Sequence, residues 1–319
     1  MPTTETISTA LVEGPEELTL NTTAMRAVQR ERRRARRSTP TSNSVGGLIL
    51  KWTILCLVAV VMLTPLYILV ISAFKPQADI IENPLGFSPG SFTFDYLWAS
   101  ITSEKFNVIQ AYGITLLFVL LVNVFSIGLA APAAYVIARG QSKWHLALLL
   151  VFVSGLFIPG QVTLIPVVFV LRMLGLIGTI PGFVLFETAG TLPVTIFLFV
   201  AYLRTVPRDI DEAAALDGAG KIRAFWLCIF PIMKPAVATV IVLHSIGVWN
   251  DFVNPQVILG PSSGIYTVTT GVYAAIGQFS TDYTTVFPTL LLTIAPAIIF
   301  FLVMQRYIIG GLAAGATKG

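Results

Sequence analysis

The sequence predicts an all-α integral membrane protein with six transmembrane helices. Apolar residues occupy 55% of its 319 positions, whereas Asp, Glu, Lys and Arg together occupy 11%. So few charges cannot cover the surface of a water-soluble protein of this size. Six apolar segments are also long enough to cross a bilayer, because about 20 helical residues span its hydrocarbon core of roughly 30 Å.

The chain begins with a polar segment, residues 1–44, which is rich in Thr, Glu and Arg and too poor in apolar residues to fold alone. We expect a disordered, basic, cytoplasmic tail. Its run RERRRARR at residues 30–37 would suggest nucleic-acid binding in isolation. Because the run lies just before an apolar segment, a topology signal in contact with anionic lipid of the bilayer is the better interpretation, and we expect no nucleic-acid partner.

The predicted spans are residues 52–72, 112–138, 146–170, 180–203, 236–258 and 286–304. In a membrane bundle, a proline kinks or loosens a helix where its neighbours can satisfy the freed carbonyl group. Such positions are Pro132, Pro159, Pro166, Pro193 and Pro296. The expected organisation is the tail 1–44, a first helix with an external loop at 45–111, a transmembrane core at 112–306 and a cytoplasmic tail at 307–319.

The distribution of Lys and Arg orients these spans, because such residues are retained mainly on the cytoplasmic side. With the N-terminus inside, 17 of the 20 Lys and Arg residues lie on that side, and only Lys75, Lys105 and Arg172 lie outside. The sequence therefore predicts a multi-pass protein with both termini in the cytoplasm.

The cytoplasmic segment between the fourth and fifth spans is polar and contains the stretch DEAAALDGAG at residues 211–220. Asp209 stands three residues before Glu212, which is the spacing of a capping box, so we expect a helix to begin there. Gly218 can adopt the left-handed conformation that ends a helix. Beyond it, four apolar residues at helical spacing predict a second helix that a proline stops; these are Ile222, Phe225, Trp226 and Ile229, with Pro231.

Two interpretations of this helix–turn–helix remain open on physical grounds. The small alanines of the first helix would let another surface approach closely, and Asp211, Glu212 and Asp217 would offer carboxylates to a basic partner. Equally, the segment would serve as an ordinary connector whose alanines merely favour helix.

The stretches EAAALDGAG and CIFPIMKP resemble the EAA loop of the membrane subunits of ABC importers, whose pattern is E-A-A, three residues, G, nine residues and I-x-L-P. The residues that match the pattern are Glu212, Ala213, Ala214, Gly218 and Pro231, while Cys228 and Phe230 replace its Ile and Leu. Further stretches, such as FIPGQVTLIPVVFVLRMLGLIGTIPG and WNDFVNPQVIL, resemble the second permease subunit of carbohydrate importers, the type similar to the G subunit of the maltose transporter. The similarity covers nearly all of residues 49–319.

The resemblance implies an ABC type I importer transmembrane domain in a bacterial inner membrane, which serves as a permease for a sugar or oligosaccharide. The implied partners are a second homologous permease subunit, two cytoplasmic ABC ATPase subunits and an extracytoplasmic sugar-binding protein. The EAA helix would dock in a cleft on the ATPase and pass its motion to the membrane helices. The implied coupling residues are Glu212, Ala213, Ala214, Leu216, Asp217 and Gly218.

The resemblance also assigns the ATP chemistry elsewhere. We expect this chain to have no catalytic residues and to bind no metal or cofactor, with ATP and Mg held by the partner ATPase. The sequence agrees, since it contains no phosphate-binding GxxxxGK[ST] loop.

Polar residues near the predicted spans are candidates for a translocation pathway, because such residues are costly in lipid and often mark a substrate route. The candidates are Asn123, Glu187, Trp249 and Asn250. In one interpretation Glu187 and Asn250 face a sugar-accepting cavity and bond to hydroxyl groups. In the other, these polar residues join helices through hydrogen bonds worth about 1 kcal/mol each or less.

The external segment 259–285 resembles the loop that reaches toward the binding protein in this subunit type. Its candidate contact residues are Tyr266, Tyr273 and Gln278.

A proton-coupled secondary transporter is the alternative function, with Glu187 and His244 as a relay. The sequence lacks the repeated halves that such carriers usually have. A membrane enzyme would need clustered carboxylates or histidines at one membrane face, and none is evident. We therefore interpret the two histidines as structural and the two cysteines as packing residues.

Overall fold

The computed structural model describes residues 45–86, 89–102, 107–276 and 282–316. The described residues fall into two units, one ending at Pro65 and the other beginning at Leu66. The predicted tail 1–44 and Gln278 lie outside the described residues.

The described residues form helices joined by turns, which confirms the all-α class for this part of the chain. In order, the helices are α1 Val45–Ser72, α2 Gln77–Glu82, α3 Asp95–Ile101, α4 Val108–Arg139, α5 Lys143–Ser154, α6 Gly160–Met173, α7 Ile180–Leu203, α8 Asp209–Leu216, α9 Lys221–Ala224, α10 Phe230–Ile232, α11 Lys234–Asn250, α12 Val253–Ile258, α13 Val268–Ile276 and α14 Tyr283–Ala316. A π-helical turn, Phe225–Ile229, joins α9 to α10.

Among the described residues, four helices are long and apolar enough to cross a membrane as single elements. They are α1, α4, α7 and the part of α14 that ends at Val303. Two bent helix pairs raise the number to six when each pair counts as one span. This agrees with the six spans predicted from the sequence.

The span predicted at 146–170, where Pro159 was expected to kink or loosen the helix, is broken there more sharply than a kink. Helices α5 and α6 meet there at an angle of 103°. Ile158 has extended backbone angles, with φ −92° and ψ 116°. The ring of Pro159 disfavours helical angles at the preceding residue and proline has no N–H to donate, and here the helix ends rather than continuing past the proline.

The span predicted at 236–258 is also interrupted, because α11 ends at Asn250 and α12 is a separate helix. The Asp251 carboxylate accepts a hydrogen bond from the Asn254 amide at 3.2 Å. This bond starts the new helix and competes with extension of the old one. Asn250 therefore ends a helix. At its other end, α11 is bent by 73° from the preceding segment, and Pro231 lies one residue before the end of α10.

Helices α4 and α7 form the most extensive helix contact in the second unit, and α11 packs against both. Small side chains at such a crossing let two membrane helices approach closely. Fully buried alanines on α4 fill this role, together with a cluster of larger residues; the principal members are Ala130, Ala131, Ala134, Ile196, Phe199, Leu203, Phe225 and Ile229. Pro132 and Pro193 lie within α4 and α7, which continue past them.

Helix α14 packs against α11 and α13. Just before its first residue, Asp282 accepts hydrogen bonds from the side chains of Thr284 and Thr285 and from the Thr284 amide. These hydrogen bonds, led by that from the Thr284 hydroxyl, hold the pKa of Asp282 below its usual value. The helix continues to Ala316, through most of the segment 307–319 that was assigned to a tail.

Phe199→Ala should destabilise the second unit, because Phe199 is fully buried in the cluster shared by α4 and α7. We expect a loss of about 2–3 kcal/mol, at the low end of the range for soluble cores, because lipid also solvates an exposed phenyl ring. Phe197 lies on the same helix and is 44% exposed. As a matched control, Phe197→Ala should cost less than about 1 kcal/mol. Thermal unfolding in detergent measures both, and equal losses would contradict the packing described here.

Candidate functional site

The capping box predicted from Asp209 and Glu212 is wrong. Arg208 is the N-cap residue of α8, it has helical backbone angles, and no side chain caps the helix. Asp209 already lies in the first turn, together with Asp211 and Glu212. Three carboxylates near the helix N-terminus interact favourably with its exposed N–H groups, which compensates for the absent cap.

The end of α8 is confirmed as a left-handed glycine turn. Gly218 has φ +79°. Its amide bonds to the Ala215 carbonyl at 3.0 Å, and the Ala219 amide bonds to the Ala214 carbonyl at 2.9 Å. These two bonds are the Schellman arrangement, which satisfies carbonyl groups that would otherwise lack a partner at the helix end.

Helix α8 presents two different faces. The residues of the expected coupling set that are exposed are Glu212, Ala213, Leu216, Asp217 and Gly218. The Leu216 residue is 90% exposed. Ala214 is instead buried on the inner face, where α8 contacts the π-helical turn. Its small side chain therefore sets the approach of α8 to its own protein.

Asp211 also belongs to the inner face, so the expectation that it offers a free carboxylate to a partner is wrong. Its Oδ2 atom lies 2.7 Å from Arg139 Nη2, and the side chains of this ion pair are 21% and 15% exposed, respectively. The Tyr135 hydroxyl donates to Asp211 Oδ1 at 2.6 Å. Because Tyr135 and Arg139 both lie on α4, these contacts fix α8 to the end of that helix.

The Arg139 guanidinium also binds the chain that links α7 to α8. Nη1 donates to the carbonyls of Leu203 at 3.3 Å and Val206 at 2.9 Å, and Nη2 donates to that of Pro207 at 3.4 Å. Carbonyls at a helix C-terminus have no partner within the helix and need such donors. From the sequence Arg139 served only as an orientation marker, and Tyr135 was missed, because nothing in the sequence indicates that residues separated by more than 70 positions meet here.

The prediction that the apolar residues of the second helix form a single buried face is wrong. Phe225 and Ile229 are buried, whereas Ile222 is 78% exposed and Trp226 is 43% exposed. The π-helical turn has more residues per turn than an α-helix, so it shifts the register after Ala224. Ile222, which precedes this turn, is therefore an exposed apolar residue outside the buried face of Phe225 and Ile229.

The four candidate pathway residues do not meet in one place. Trp249 and Asn250 line a cavity of about 590 Å³ between α4, α11 and α14. Glu187 lines a different cavity of about 430 Å³ between α6 and α7. Asn123 is buried, and its amide donates to the Val119 carbonyl at 2.8 Å and to the Ser245 hydroxyl at 3.4 Å. Asn123 thus joins α4 to α11.

Glu187 has two polar neighbours that sequence reasoning did not connect to it. It accepts a hydrogen bond from Asn254 Nδ2 at 3.0 Å, and the Asp251 carboxyl is close enough to interact with it electrostatically. Both neighbours follow the break at the end of α11. The break therefore brings the polar end of the WNDFVN stretch to α7.

Trp249 stacks on Tyr112 with ring centroids 6.1 Å apart and an interplanar angle of 22°. Its Nε1 atom is buried and has no hydrogen-bond partner in the described part of the chain. Asn250 is exposed and bonds to the Ile246 carbonyl of its own helix at 2.9 Å. An aromatic pair with a nearby amide is thus available on the wall of the larger cavity.

The two described candidates for binding-protein contact lie on either side of the start of α13. Tyr273 is 46% exposed and packs edge-on against Phe252 at 5.7 Å. The Tyr266 hydroxyl donates to the Pro261 carbonyl at 3.3 Å.

The two histidines contact nearby hydroxyl groups. His244 Nε2 lies 3.0 Å from the Thr195 hydroxyl, which links α11 to α7. His145 Nδ1 lies 2.8 Å from the Ser142 hydroxyl.

Comparison with known proteins identifies a transport family. Residues 130–312 match the family described as binding-protein-dependent transport system inner membrane component. The multiple sugar-binding transport system permease protein MsmG of Streptococcus mutans is 32% identical over 283 residues, which cover 84% of this chain and 96% of the relative. The diacetylchitobiose uptake system permease protein NgcG of Streptomyces coelicolor is 29% identical and covers 83% of this chain and 87% of the relative.

A third relative and one solved structure agree with these matches. The melibiose/raffinose/stachyose import permease protein MelC of Bacillus subtilis is 27% identical, over 82% of this chain and 94% of the relative. The structure of a bacterial ABC transporter involved in the import of the acidic polysaccharide alginate matches with a TM-score of 0.71 and 21% identity, over 84% of this chain and 98% of that chain. The latter similarity shows that the fold is shared.

Gly218→Ala should destabilise the end of α8, because a Cβ atom is disfavoured at φ +79° although the surrounding space is open. The expected local cost is about 1–2 kcal/mol. Gly220 is also in open space but has φ −65°, so Gly220→Ala is the matched control and should have little effect. Hydrogen–deuterium exchange of peptides covering 209–220 should accelerate only for Gly218→Ala. Equal protection from hydrogen–deuterium exchange in both variants would contradict the prediction that a Cβ atom at position 218 strains the turn.

Proposed function

We propose that this chain, which belongs to the family of binding-protein-dependent transport system inner membrane components, forms half of the path by which an ABC importer carries a sugar or oligosaccharide. It is a multi-pass membrane protein and a transport component rather than a catalytic subunit. The match to MsmG along 84% of this chain carries the proposal, and the names of NgcG and MelC support a carbohydrate cargo. The family match favours an importer over a proton-coupled carrier.

The complete importer would contain four further components. These are a second homologous permease subunit, two cytoplasmic ABC ATPase subunits and an extracytoplasmic sugar-binding protein that delivers the cargo. ATP and Mg would bind the ATPase subunits, and this chain would bind no cofactor. Both termini would lie in the cytoplasm, as the excess of Lys and Arg on that side favours.

The exposed face of α8 is the proposed contact with the ATPase. Glu212 and Asp217 supply carboxylates there, and Leu216 supplies an apolar side chain that is 90% exposed. An apolar contact that is bordered by charged residues is typical of a protein–protein interface. Ala213 and Gly218 would let the partner approach the backbone, and Ala214 would hold α8 against its own protein.

The cavity bordered by Trp249 and Asn250 is the proposed sugar-facing surface of this chain. A sugar ring presents apolar C–H faces and hydroxyl groups, which match the Tyr112–Trp249 stack and the Asn250 amide. Glu187 would add a carboxylate at a second point along the path, whereas the contacts of Asn123 favour a role in joining helices. The external residues Tyr266, Tyr273 and Gln278 would face the binding protein.

Glu212→Lys should abolish coupling, because a lysine would repel the basic group expected in the ATPase cleft. In proteoliposomes that contain the whole importer, ATP-dependent uptake of radiolabelled raffinose or melibiose should fall about tenfold or more while the subunits still copurify. Glu82 is an exposed acid on α2, and Glu82→Lys is the matched charge reversal that should leave uptake intact. A cysteine placed at Ala213 should cross-link to the ATPase. Full uptake by Glu212→Lys, or cross-linking only to the external protein, would reject the docking assignment.

Asn250→Ala tests the sugar-facing surface, because Asn250 is exposed and bonds only within its own helix in the described structure. We expect the uptake rate to fall about tenfold, with the thermal midpoint of the complex unchanged. Asn123→Ala, which breaks the link to Ser245, should instead lower the midpoint and leave the preference among sugars unchanged. If both variants lose only stability, the cavity does not contact cargo.

A further inference from the structure

We infer that Arg139 is the joint through which α8 moves the membrane helices, so that α8 and the adjoining ends of α4 and α7 move as one body. The inference rests on the proposed docking of α8 on an ATPase. It concerns the next step, which is how a displacement of α8 is passed on to the membrane helices. Arg139, which lies on α4, acts as a positioning residue, because it contacts the inner side of α8 and not its exposed face.

The guanidinium spans the connection between α7 and α8. The linking residues, 204–208, form turns and a bend. Arg139 bonds to Leu203 before this link, to Val206 and Pro207 within it, and to Asp211 beyond it. Because a planar guanidinium holds its N–H groups in a fixed arrangement, these bonds restrict hinge motion of the link.

The ion pair is placed where water weakens it little. Its side chains are only 15% and 21% exposed, so salt and solvent screen the charges less than on an open surface. The Tyr135 hydroxyl holds the second oxygen of Asp211, and the Tyr135 ring lies 5.1 Å from that of Phe225 in the core. The carboxylate therefore has little freedom to leave Arg139.

The other covalent route out of α8 is interrupted by turns and a bend. It passes through the Gly218 turn and the π-helical turn to the bend of 73° that precedes α11. Helices α4 and α7 are by contrast joined by their long contact and by a hydrogen bond between Ser126 and Thr191 at 2.6 Å. A displacement of α8 should therefore reach the α4–α7 pair first and α11 only indirectly.

The joint can be tested in the assembled importer by electron paramagnetic resonance. Spin labels attached at the exposed positions Ala215→Cys and Gln141→Cys, after Cys56 and Cys228 are replaced by serine, report the distance between α8 and the end of α4. We expect one narrow distance distribution that is the same without nucleotide and after trapping with ATP and vanadate. In the Arg139→Gln variant the distribution should broaden, and stimulation of ATP hydrolysis by the binding protein should fall about tenfold.

Two variants distinguish the effect of losing the Arg139–Asp211 contact from the effect of a general loss of charge. Arg204→Gln removes an exposed arginine at the C-terminus of α7 and should retain the narrow distribution. Asp211→Asn leaves the Arg139 bonds to carbonyls available but removes the ion pair, so it should broaden the distribution. If Arg139→Gln fails to assemble, Asp211→Asn provides the test.

Two results would overturn the inference. One is a change in the spin-label distance when ATP is trapped in the protein that retains Arg139 and Asp211. The other is a narrow distribution of that distance in Asp211→Asn. Loss of the Ala213→Cys cross-link to the ATPase would instead reject the docking site, whatever distances the spin labels report.

Discussion

The ion pair between Arg139 and Asp211 determines how a polar helix is held on a largely apolar protein. Helix α8 has eight residues, and an isolated helix of that length is unstable in water. Its attachments must therefore supply the stability that its length does not. Asp211 fixes its first turn, Ala214 packs its middle, and the Schellman turn at Gly218 closes its end. The direction of the exposed face follows from these three contacts.

Packing inside the membrane follows different rules from packing at α8. Lipid is as apolar as a side chain, so helices in a bilayer associate through close fit and hydrogen bonds rather than through the exclusion of water. The buried alanines of α4 provide the fit. Links from Asn123 to Ser245 and from Thr195 to His244 provide the hydrogen bonds that join α11 to its neighbours. Several polar groups within the spans thus act between helices.

Sequence reasoning predicted what local chemistry determines. The apolar segments indicated the spans, and the glycine after DEAAALD indicated a left-handed turn, because few other residues tolerate that conformation. The capping box failed, since Arg208 in a helical conformation extends the helix start by one residue. The break at Pro159 was predicted only as a kink, because α4 and α7 continue past Pro132 and Pro193 and the sequence does not distinguish a proline that ends a helix from one that lies within it. Arg139 was missed because its partners lie far along the chain.

The place where motion would matter follows from which helices the joint connects. The cavity of about 590 Å³ has walls from α4, α11 and α14. Arg139 ties α8 to α4 and to the end of α7, whereas a bend of 73° separates α11 from the segment that follows α8. A displacement of α8 would therefore move the wall formed by α4 more than the walls formed by α11 and α14. Such differential motion would change the width of the cavity beside Trp249 and Asn250, and it requires no flexibility within any single helix.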